Sequence, residues 1–427
     1  MEMFAQRARE LVAQMTLEEK VSQMRYDAPA IERLGIPAYN WWNECLHGVG
    51  RSGTATVFPQ PIGMAASFDE SLMEHVAQAI SDEARAKYNQ YKTFGETGIY
   101  QGLTFWSPNI NLFRDPRWGR GHETYGEDPL LTGRMGTAFI RGLQEGKDPK
   151  YRKLDATVKH FAAHSGPEAG RHSFNAEVSA EDMADSYLWA FRYCIEHAKP
   201  AAVMGAYNRI NGEPACASST YLKGVLYGEW KFDGYVVSDW GGSNDHALGV
   251  MNGSHLEMPG TGKSGMRDIV RAVKDGTLPE EVLDQRLDEL LNVVFATHQA
   301  TVDGKGKKFD VEGHHALARK AAEESVVLLK NSNNILPLKP GTKVAVIGDF
   351  AKTPRYQGAG SSLVNPTRQP ESILDVISDS GLVMTAYEQG YIRNRKPNAA
   401  LAKSAVEAAK NADVVLVFAG LDEISES

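Results

Sequence analysis

The feature that most constrains the fold of this chain is a regular alternation of short apolar runs and longer amphipathic segments over residues 35–295. This alternation is typical of parallel strands that are connected by helices. The predicted strands are Ile62–Ala65, Leu103–Trp106, Ala156–His160, Ala202–Ala206, Tyr235–Ser238 and His255–Met258. The predicted helices between and after them are Ser71–Lys87, Leu130–Gln144, Ala180–Lys199 and Pro279–Thr297.

Two architectures share this pattern, a closed barrel and a doubly wound open sheet. Polar side chains follow several successive strands, namely Arg120, Lys159, His160, Tyr207 and Asp239. A barrel gathers the carboxyl ends of all its strands at one mouth, whereas an open sheet gathers them only at a switch point. The placement of these side chains therefore predicts an α/β fold with a TIM-like (β/α)8 barrel over residues 1–297.

A second domain is predicted after the barrel. Residues 298–313 are polar and rich in glycine and lysine, which indicates an interdomain linker. Residues 314–427 repeat the strand and helix pattern, and Val344–Ile347 and Val414–Val417 are apolar blocks typical of a sheet covered on both faces. Since the sequence stops soon after the third clear strand, we expect an incomplete α/β sandwich domain and a longer parent polypeptide.

Composition excludes several classes of protein. Asp and Glu number 54 against 46 Lys and Arg, and this balance argues against nucleic-acid binding. No apolar run approaches the ~20 residues that cross a membrane. The three cysteines allow at most one disulfide and lack zinc-ligand spacing. The first 15 residues lack the apolar core of a secretion signal, so a cytoplasmic location and a periplasmic or secreted one with the signal removed stay open. The oligomeric state also stays open, and a homodimer is one option.

Asp239 is the first candidate for chemistry. The segment Phe232–Trp240 has the pattern of a buried strand that ends in a carboxylate followed by an aromatic ring. At a barrel mouth this pattern places an acid beside a flat apolar surface. An ionised carboxylate can attack an anomeric carbon, and an indole can stack on a sugar face. The structural alternative is an Asp that caps the following helix.

Cationic residues near other predicted strand ends are further candidates. Lys159 and His160 could bind adjacent hydroxyl groups, or they could form a structural salt bridge. Arg171 follows in a glycine-containing loop that could fold over the mouth. The segment Arg114–Arg120 indicates either a loop held by ion pairs with nearby acids or an Arg that reaches substrate.

Two other segments have both a structural and a functional interpretation. Trp41–Gly48 carries paired tryptophans beside Glu44, which fits either core packing or a wall that stacks on a sugar ring while the acid binds hydroxyls. Gly358–Ser362 is a loop of small residues, a pattern most often found in plain connectors.

Taken together, these segments resemble glycoside hydrolase family 3, the β-glucosidase and β-xylosidase family. The matching motifs occur in the family's order from about residue 7 to the last residue. They are Asn43–Gly48, Arg114–Arg120 with Glu123 and Gly126–Pro129, Lys159–Phe161, Met204–Gly212 and Val237–Gly241.

The resemblance implies a barrel followed by an α/β sandwich, and an exo-acting retaining β-glycosidase. Its substrate would be an oligosaccharide or an aryl or alkyl β-glycoside with a terminal β-D-glucosyl or β-D-xylosyl residue, and no metal or organic cofactor is implied. Asp239 would be the nucleophile that forms a glycosyl-enzyme intermediate. Residues implied to hold the terminal sugar or to orient the nucleophile are Glu44, Arg120, Lys159, His160, Arg171, Tyr207, Trp240 and Ser361. We expect Lys159, Arg120 and Arg171 to keep Asp239 ionised by Coulombic attraction.

Two departures from the family pattern matter. Many β-glucosidases of the family carry Asp where this chain has Glu44, and Glu there resembles the β-xylosidase branch. The longer side chain would crowd the hydroxymethyl group of a hexose more than it would crowd a pentose. In addition, the Gly-x-Asp-Arg element that follows the family's general acid/base is missing, so Glu426 is the candidate acid/base within the sequence, and the alternative is a residue beyond it.

Two other functions compete with this interpretation. A β-N-acetylglucosaminidase of the same family would carry an Asp-Ser-His element after the Lys-His-Phe motif, but here the segment Gly170–Ser173 lacks the Asp. A non-catalytic sugar-binding protein would keep Glu44, Lys159, His160 and Trp240 without cleaving. Its discriminating observation is sugar binding without turnover.

Overall fold

The structure is a computed structural model that describes residues 4–145, 152–166, 168–303, 306–393 and 396–425. The chain forms two compact units. Unit 1 is Met1–Ser325 with Ser361–Asn365, and unit 2 is Val326–Gly360 with Pro366–Ser427. The domain limits 1–297 and 314–427 and the linker 298–313 stay predictions.

Unit 1 alternates helices and short strands. Its α-helices are α1 (Ala5–Val12), α2 (Leu17–Ser22), α3 (Pro61–Ala65), α4 (Glu70–Thr93), α5 (Pro129–Gln144), α6 (Ala180–Asp182), α7 (Trp189–Ala198), α8 (His246–Asn252), α9 (Lys263–Lys274), α10 (Glu280–Asp303) and α11 (Val311–Glu324). Its strands are β1 (Asp27–Ala28), β2 (Tyr39–Asn40), β3 (Thr104–Phe105), β4 (Asp155–Phe161), β5 (Asn175–Ala176), β6 (Ala202–Gly205), β7 (Arg209–Ile210), β8 (Glu213–Pro214) and β9 (Tyr235–Ser238).

A parallel sheet in the order β3-β4-β6-β9 lies at the centre of unit 1. Beyond β9 the sheet continues through a parallel bridge from Val237 to Leu256, and the next residue, Glu257, forms a parallel bridge with Arg25. Residues near the N-terminus are thereby joined to the last strand-like segment of the barrel.

The other edge of the sheet meets the same N-terminal segment. Beyond β3, the Trp106 N–H donates to the Asn43 carbonyl at 3.0 Å, and the Trp41 N–H donates to the Tyr26 carbonyl at 2.7 Å. One pair in the ring, β1 with β2, is antiparallel. The main-chain contacts therefore run around a closed ring, which confirms the predicted TIM-like barrel.

Two apolar clusters cover the two faces of these strands. One cluster contains Val158, Val203 and Val236 together with residues of α4, α5 and α7. The other contains their strand neighbours Met204 and Val237. Successive strand residues point to opposite faces, so burial on both faces explains the continuous apolar runs in the sequence. Each fully buried valine of this kind contributes roughly 1.5–3 kcal/mol.

Some predicted elements differ from the structure. The predicted strand Ile62–Ala65 is wrong, because these residues form α3, whose first turn is set by the proline ring of Pro61. The predicted helix Ala180–Lys199 is interrupted by a π-helical segment, Met183–Tyr187, and a second π-helical segment covers Ser219–Glu229. Helix α10 continues to Asp303.

Unit 2 is built on a parallel sheet of three strands, β10 (Lys343–Ile347), β11 (Val383–Glu388) and β12 (Val414–Val417), in the order β11-β10-β12. Its helices are α12 (Asp349–Lys352), α13 (Ile373–Val376) and α14 (Ala399–Ala409). Val344 and Val346 of the central strand are fully buried, whereas Val417 on β12 is 63% exposed. The parallel strands agree with the α/β sandwich that the sequence predicts.

Across both units, none of the helices in the described part of the chain combines the length and the apolar character that a bilayer span requires.

Candidate active site

The carboxyl ends of the parallel strands in unit 1 bring the polar candidates together. Asp239 directly follows β9, and its N–H donates to the Gly205 carbonyl at the end of β6 (3.1 Å). Lys159 and His160 lie near the end of β4, and Tyr207 follows β6. The Asp239 side chain is only 13% exposed. Parallel strands of a barrel end at one edge, which explains why residues far apart in the sequence meet here.

Arg120 supplies a fixed positive charge next to Asp239. Its Nη1 atom lies 4.0 Å from Asp239 Oδ2. The same guanidinium donates to both oxygens of Glu123, from Nε to Oε1 at 2.8 Å and from Nη2 to Oε2 at 2.7 Å. Burial opposes the charge on both partners, yet the pair raises the pKa of Arg120 and lowers the pKa of Glu123. Two parallel hydrogen bonds fix the guanidinium plane, so Glu123 orients Arg120 toward the mouth.

Glu44 and Lys159 form an ion pair at the same site. The Lys159 Nζ atom lies 2.6 Å from Glu44 Oε2, and the two side chains are 3% and 2% exposed. The other carboxylate oxygen accepts hydrogen bonds from the Cys45 N–H (2.9 Å) and from the Ser107 hydroxyl. Both oxygens of Glu44 are thus held in place, and the structure joins these two predicted residues in an ion pair near Asp239.

His160 contacts Asp239 directly. Its Nε2 atom lies 3.3 Å from Asp239 Oδ2. Its Nδ1 atom lies 2.8 Å from the side-chain oxygen of Asn111, which is buried beside it. Burial and the neighbouring positive charges of Arg120, Lys159 and Arg171 hold the pKa of His160 well below its usual range. The imidazole is therefore neutral in this environment.

Tyr207 and Arg171 border the cluster on another side. The Tyr207 hydroxyl acts on the Asp239 carboxyl group, and burial together with the Asp239 charge raises the pKa of Tyr207. Its ring meets His172 edge-on at 4.5 Å between centroids. Arg171 Nη2 lies 3.4 Å from Glu168 Oε1, and its charge acts on both His160 and Tyr207.

Burial and neighbouring charge shift the pKa of Asp239 in opposite directions. Burial raises the pKa of Asp239 above its ordinary value, although Arg120, Lys159 and the Tyr207 hydroxyl lower it. Arg120 and Lys159 act in the predicted direction, but the loss of water around the carboxylate outweighs them. A proton on Asp239 is thus easier to retain than in an exposed Asp.

Aromatic side chains line the mouth beside Asp239. Trp240 is 47% exposed, and its ring meets Trp42 edge-on at 4.6 Å between centroids. Trp42 in turn stacks on Trp106 with centroids 6.3 Å apart and planes 13° apart. Trp41 is instead fully buried in the core. Of the paired tryptophans, Trp41 therefore packs in the core, whereas Trp42 forms a partly exposed aromatic wall with Trp240.

The described contacts do not connect two of the predicted residues, Ser361 and Glu426, to this cluster. Ser361 is exposed within the segment Ser361–Asn365, and no described hydrogen bond or ion pair joins it to Asp239. That segment belongs to unit 1 and packs in its apolar core through the buried side chain of Val364. Glu426 lies outside the described residues, so its assignment as acid/base stays a prediction. Within the described chain, no group of three or more His, Cys, Asp and Glu side chains could hold a metal ion.

Sequence reasoning missed several contacts that orient the cluster. Ser107 and Asn111 hold Glu44 and His160, and both belong to the segment after β3, which no candidate motif included. A polar residue that follows an apolar strand is the only signal they give, and many surface loops share it. Glu123 belongs to the motif that begins at Arg114, and its pairing with Arg120 supports the interpretation of that segment as an ion-paired loop.

Comparison with known families gives two matches. The model described as Glycosyl hydrolase family 3 N terminal domain matches residues 4–293, and the model described as Glycosyl hydrolase family 3 C-terminal domain matches residues 326–427. The two matches together span most of the chain.

Individual proteins are similar to the chain as well. A xylan 1,4-beta-xylosidase of Xylanibacter ruminicola is 41% identical over 81% of this chain and 43% of its own length. The solved structure of a Bifidobacterium adolescentis GH3 beta-glucosidase has a TM-score of 0.84 at 34% identity, covering 97% of this chain and 58% of that one. A GH3 exo-beta-xylosidase (XlnD), solved with a xylobiose aziridine activity-based probe, has a TM-score of 0.85 at 30% identity, covering 98% and 57%. The chain spans about half the length of the curated relatives it matches.

Proposed function

Because the chain belongs to glycosyl hydrolase family 3, we propose that the protein is an exo-acting retaining β-glycosidase. It removes β-D-xylosyl or β-D-glucosyl residues from the non-reducing end of oligosaccharides or of aryl and alkyl β-glycosides. The observation that carries the proposal is the Asp239 carboxyl group at the barrel mouth, with Arg120 at 4.0 Å and His160 at 3.3 Å. Relatives named as xylosidase and glucosidase support the same reaction.

The mechanism is a double displacement. Asp239 attacks the anomeric carbon as a carboxylate, the glycosidic bond breaks, and a covalent glycosyl-enzyme forms. Water then hydrolyses this ester and restores the original configuration. Arg120 faces the carboxylate and stabilises its charge before attack. A separate carboxylic acid protonates the leaving oxygen, and Glu426 is the candidate in this chain.

The polar side chains around Asp239 bind the terminal sugar. Glu44 accepts hydrogen bonds from sugar hydroxyls, and Lys159 and Arg171 donate to them. Trp240 offers an exposed indole face to an apolar sugar face or to the aryl leaving group attached to that sugar. Charged partners strengthen each of these hydrogen bonds relative to neutral ones.

The stereochemistry of the first product tests this proposal. Proton NMR during cleavage of an aryl β-D-xyloside should show the β-anomer of free xylose before mutarotation, because two inversions at one carbon retain configuration. An α-anomer as the first product would contradict both the retaining mechanism and the role of Asp239 as nucleophile.

The choice of sugar depends on Glu44 in this proposal. Its carboxylate is fixed by Lys159, Ser107 and the Cys45 N–H, so it cannot swing away from a hexose hydroxymethyl group. We expect Glu44→Asp to raise the ratio of kcat/KM for the aryl β-D-glucoside over the xyloside about 10-fold, the effect of one methylene in a tight pocket.

Matched kinetics on the two aryl glycosides measure this ratio. Glu281→Asp, an exposed substitution of the same type on α10, serves as the control and should leave the ratio unchanged. An unchanged ratio in Glu44→Asp, with activity retained, would remove Glu44 as the determinant of sugar size.

A further inference from the structure

The contacts of Asn111 fix the position of the hydrogen on the His160 ring. The Asn111 Nδ2 group donates to the His160 carbonyl at 2.8 Å, and Asn111 Oδ1 accepts from the His160 N–H at 2.9 Å. The amide orientation is set by these two main-chain contacts. Asn111 Oδ1 also lies 2.8 Å from His160 Nδ1, and an amide oxygen can only accept. Nδ1 therefore carries the hydrogen.

This tautomer has a consequence at Asp239. A neutral imidazole with hydrogen on Nδ1 presents a lone pair at Nε2. Nε2 lies 3.3 Å from Asp239 Oδ2, which is buried and has no hydrogen-bond partner within the described part of the chain. An ionised Asp239 would thus place two acceptors face to face, out of water, where an unmade hydrogen bond is costly.

The surrounding charges decide which of the two groups takes a proton. Positive charge disfavours an imidazolium at His160, whereas burial favours a neutral carboxyl group at Asp239. Arg120 and Lys159 favour the carboxylate, but burial outweighs them in the direction of the Asp239 pKa shift, so a proton shared by the pair is held more readily by the Asp239 oxygen than by the imidazole. The titratable and charged groups that act on the pair are Arg120 and Glu123 from the segment before α5, Lys159 from β4, His164 and Arg171 from the loop after it, Tyr207 after β6 and Cys216.

We propose that His160 is a positioning residue that holds a proton on the nucleophile of the free protein. Below the apparent pKa of the pair, Asp239 carries the proton on Oδ2, which faces the bare Nε2 of His160. The reactive form is the carboxylate, so this O–H bond breaks before attack, the proton leaves to solvent, and a substrate hydroxyl takes its place as the donor to Nε2. This inference rests on the proposed function, since it assigns the role of the nucleophile to Asp239.

The proposal predicts that His160 sets the acid limb of the reaction. A carboxyl group that donates to His160 loses its proton only at raised pH, so the rate rises with pH through the apparent pKa of the pair and stays high above it. His160→Gln places an amide that can donate near the position of Nε2, and donation to the carboxylate favours its charged form. We expect the acid limb of His160→Gln to move to lower pH by about one unit or more.

The pH dependence of the rate of inactivation by a 2,4-dinitrophenyl 2-deoxy-2-fluoro-β-D-glycoside measures this acid limb. Its leaving group needs no protonation, so the pH profile reports the nucleophile and not the general acid. His197→Gln, exposed on α7, is the matched control and should keep the wild-type profile. An acid limb that stays in place or moves to higher pH in His160→Gln would overturn the proposal.

A second measurement needs neither turnover nor a stable variant. Nitrogen NMR of protein labelled with ¹⁵N-histidine distinguishes an imidazole nitrogen that carries hydrogen from a bare one. Between about pH 5 and pH 8, where an ordinary His titrates, we expect His160 to keep one hydrogen, on Nδ1. An imidazolium, or hydrogen on Nε2, would refute the proposal even if the enzyme proved active, and the predicted tautomer in an inactive protein would count against the proposed function alone.

Discussion

Replacement of Asp239 by Asn is expected to lower turnover by at least about 10⁴-fold, as the loss of a nucleophile does in other enzymes. The amide has the same shape as the carboxyl group but cannot attack the anomeric carbon. Because the substitution also removes a buried group whose pKa is raised by burial, we expect no loss of thermal stability. Aryl glycosides with activated leaving groups measure the rate, and a melting curve measures the stability.

The design separates the loss of the nucleophile from general damage. Asp233→Asn, exposed in the turn before β9, is the matched control and should retain the full rate. In Asp239→Gly, added azide should restore cleavage and yield the α-glycosyl azide, because an external anion then attacks from the vacated side. More than a few per cent of wild-type turnover in Asp239→Asn would remove Asp239 from the role of nucleophile.

Lys159→Met is expected to destabilise the protein by about 3–5 kcal/mol, the range seen when one partner of a buried ion pair is removed. The Glu44 carboxylate then remains buried with only the Cys45 N–H and the Ser107 hydroxyl as partners. Urea denaturation measures the loss. We also expect sugar binding to weaken, because the same ammonium group faces the site.

A surface ion pair and a double variant serve as comparisons for Lys159→Met. Lys274 pairs with Glu18 at 3.8 Å on the surface, with 64% and 68% of the side chains exposed. Lys274→Met should therefore cost no more than about 1 kcal/mol. The double variant Glu44→Gln/Lys159→Met should recover part of the loss, since no uncompensated charge remains. If Lys159→Met and Lys274→Met lowered the free energy of unfolding by similar amounts, the buried Glu44–Lys159 pair would contribute no more to stability than a surface pair.

The sequence predicted the parts of the site that depend on local pattern. Asp239, Lys159 and His160 lie at the ends of strands whose apolar runs are long enough to identify, and the barrel topology then brings them together. The sequence could not predict that Asn111 sets the His160 tautomer or that Ser107 holds Glu44, because these contacts join loops through tertiary packing alone.

The mistaken elements have physical causes of the same kind. A strand was predicted at Ile62–Ala65 because these residues are apolar, but Pro61 before them favours a helical turn. The cationic neighbours of Asp239 were visible in the sequence. Its degree of burial was not, and burial decides the direction.

The contact that closes the barrel also bears on how the protein is made. Arg25 and Glu257 bridge one another from opposite ends of the barrel sequence, so the ring cannot form until the ribosome has released both. Such a non-local pairing makes closure a slow step and leaves the apolar side chains of α2 without their partners during synthesis. Glu44, Lys159 and Asp239 come from segments of the same ring. We therefore expect the capacity to bind sugar to emerge late and in a single step during translation, not gradually as each strand is added.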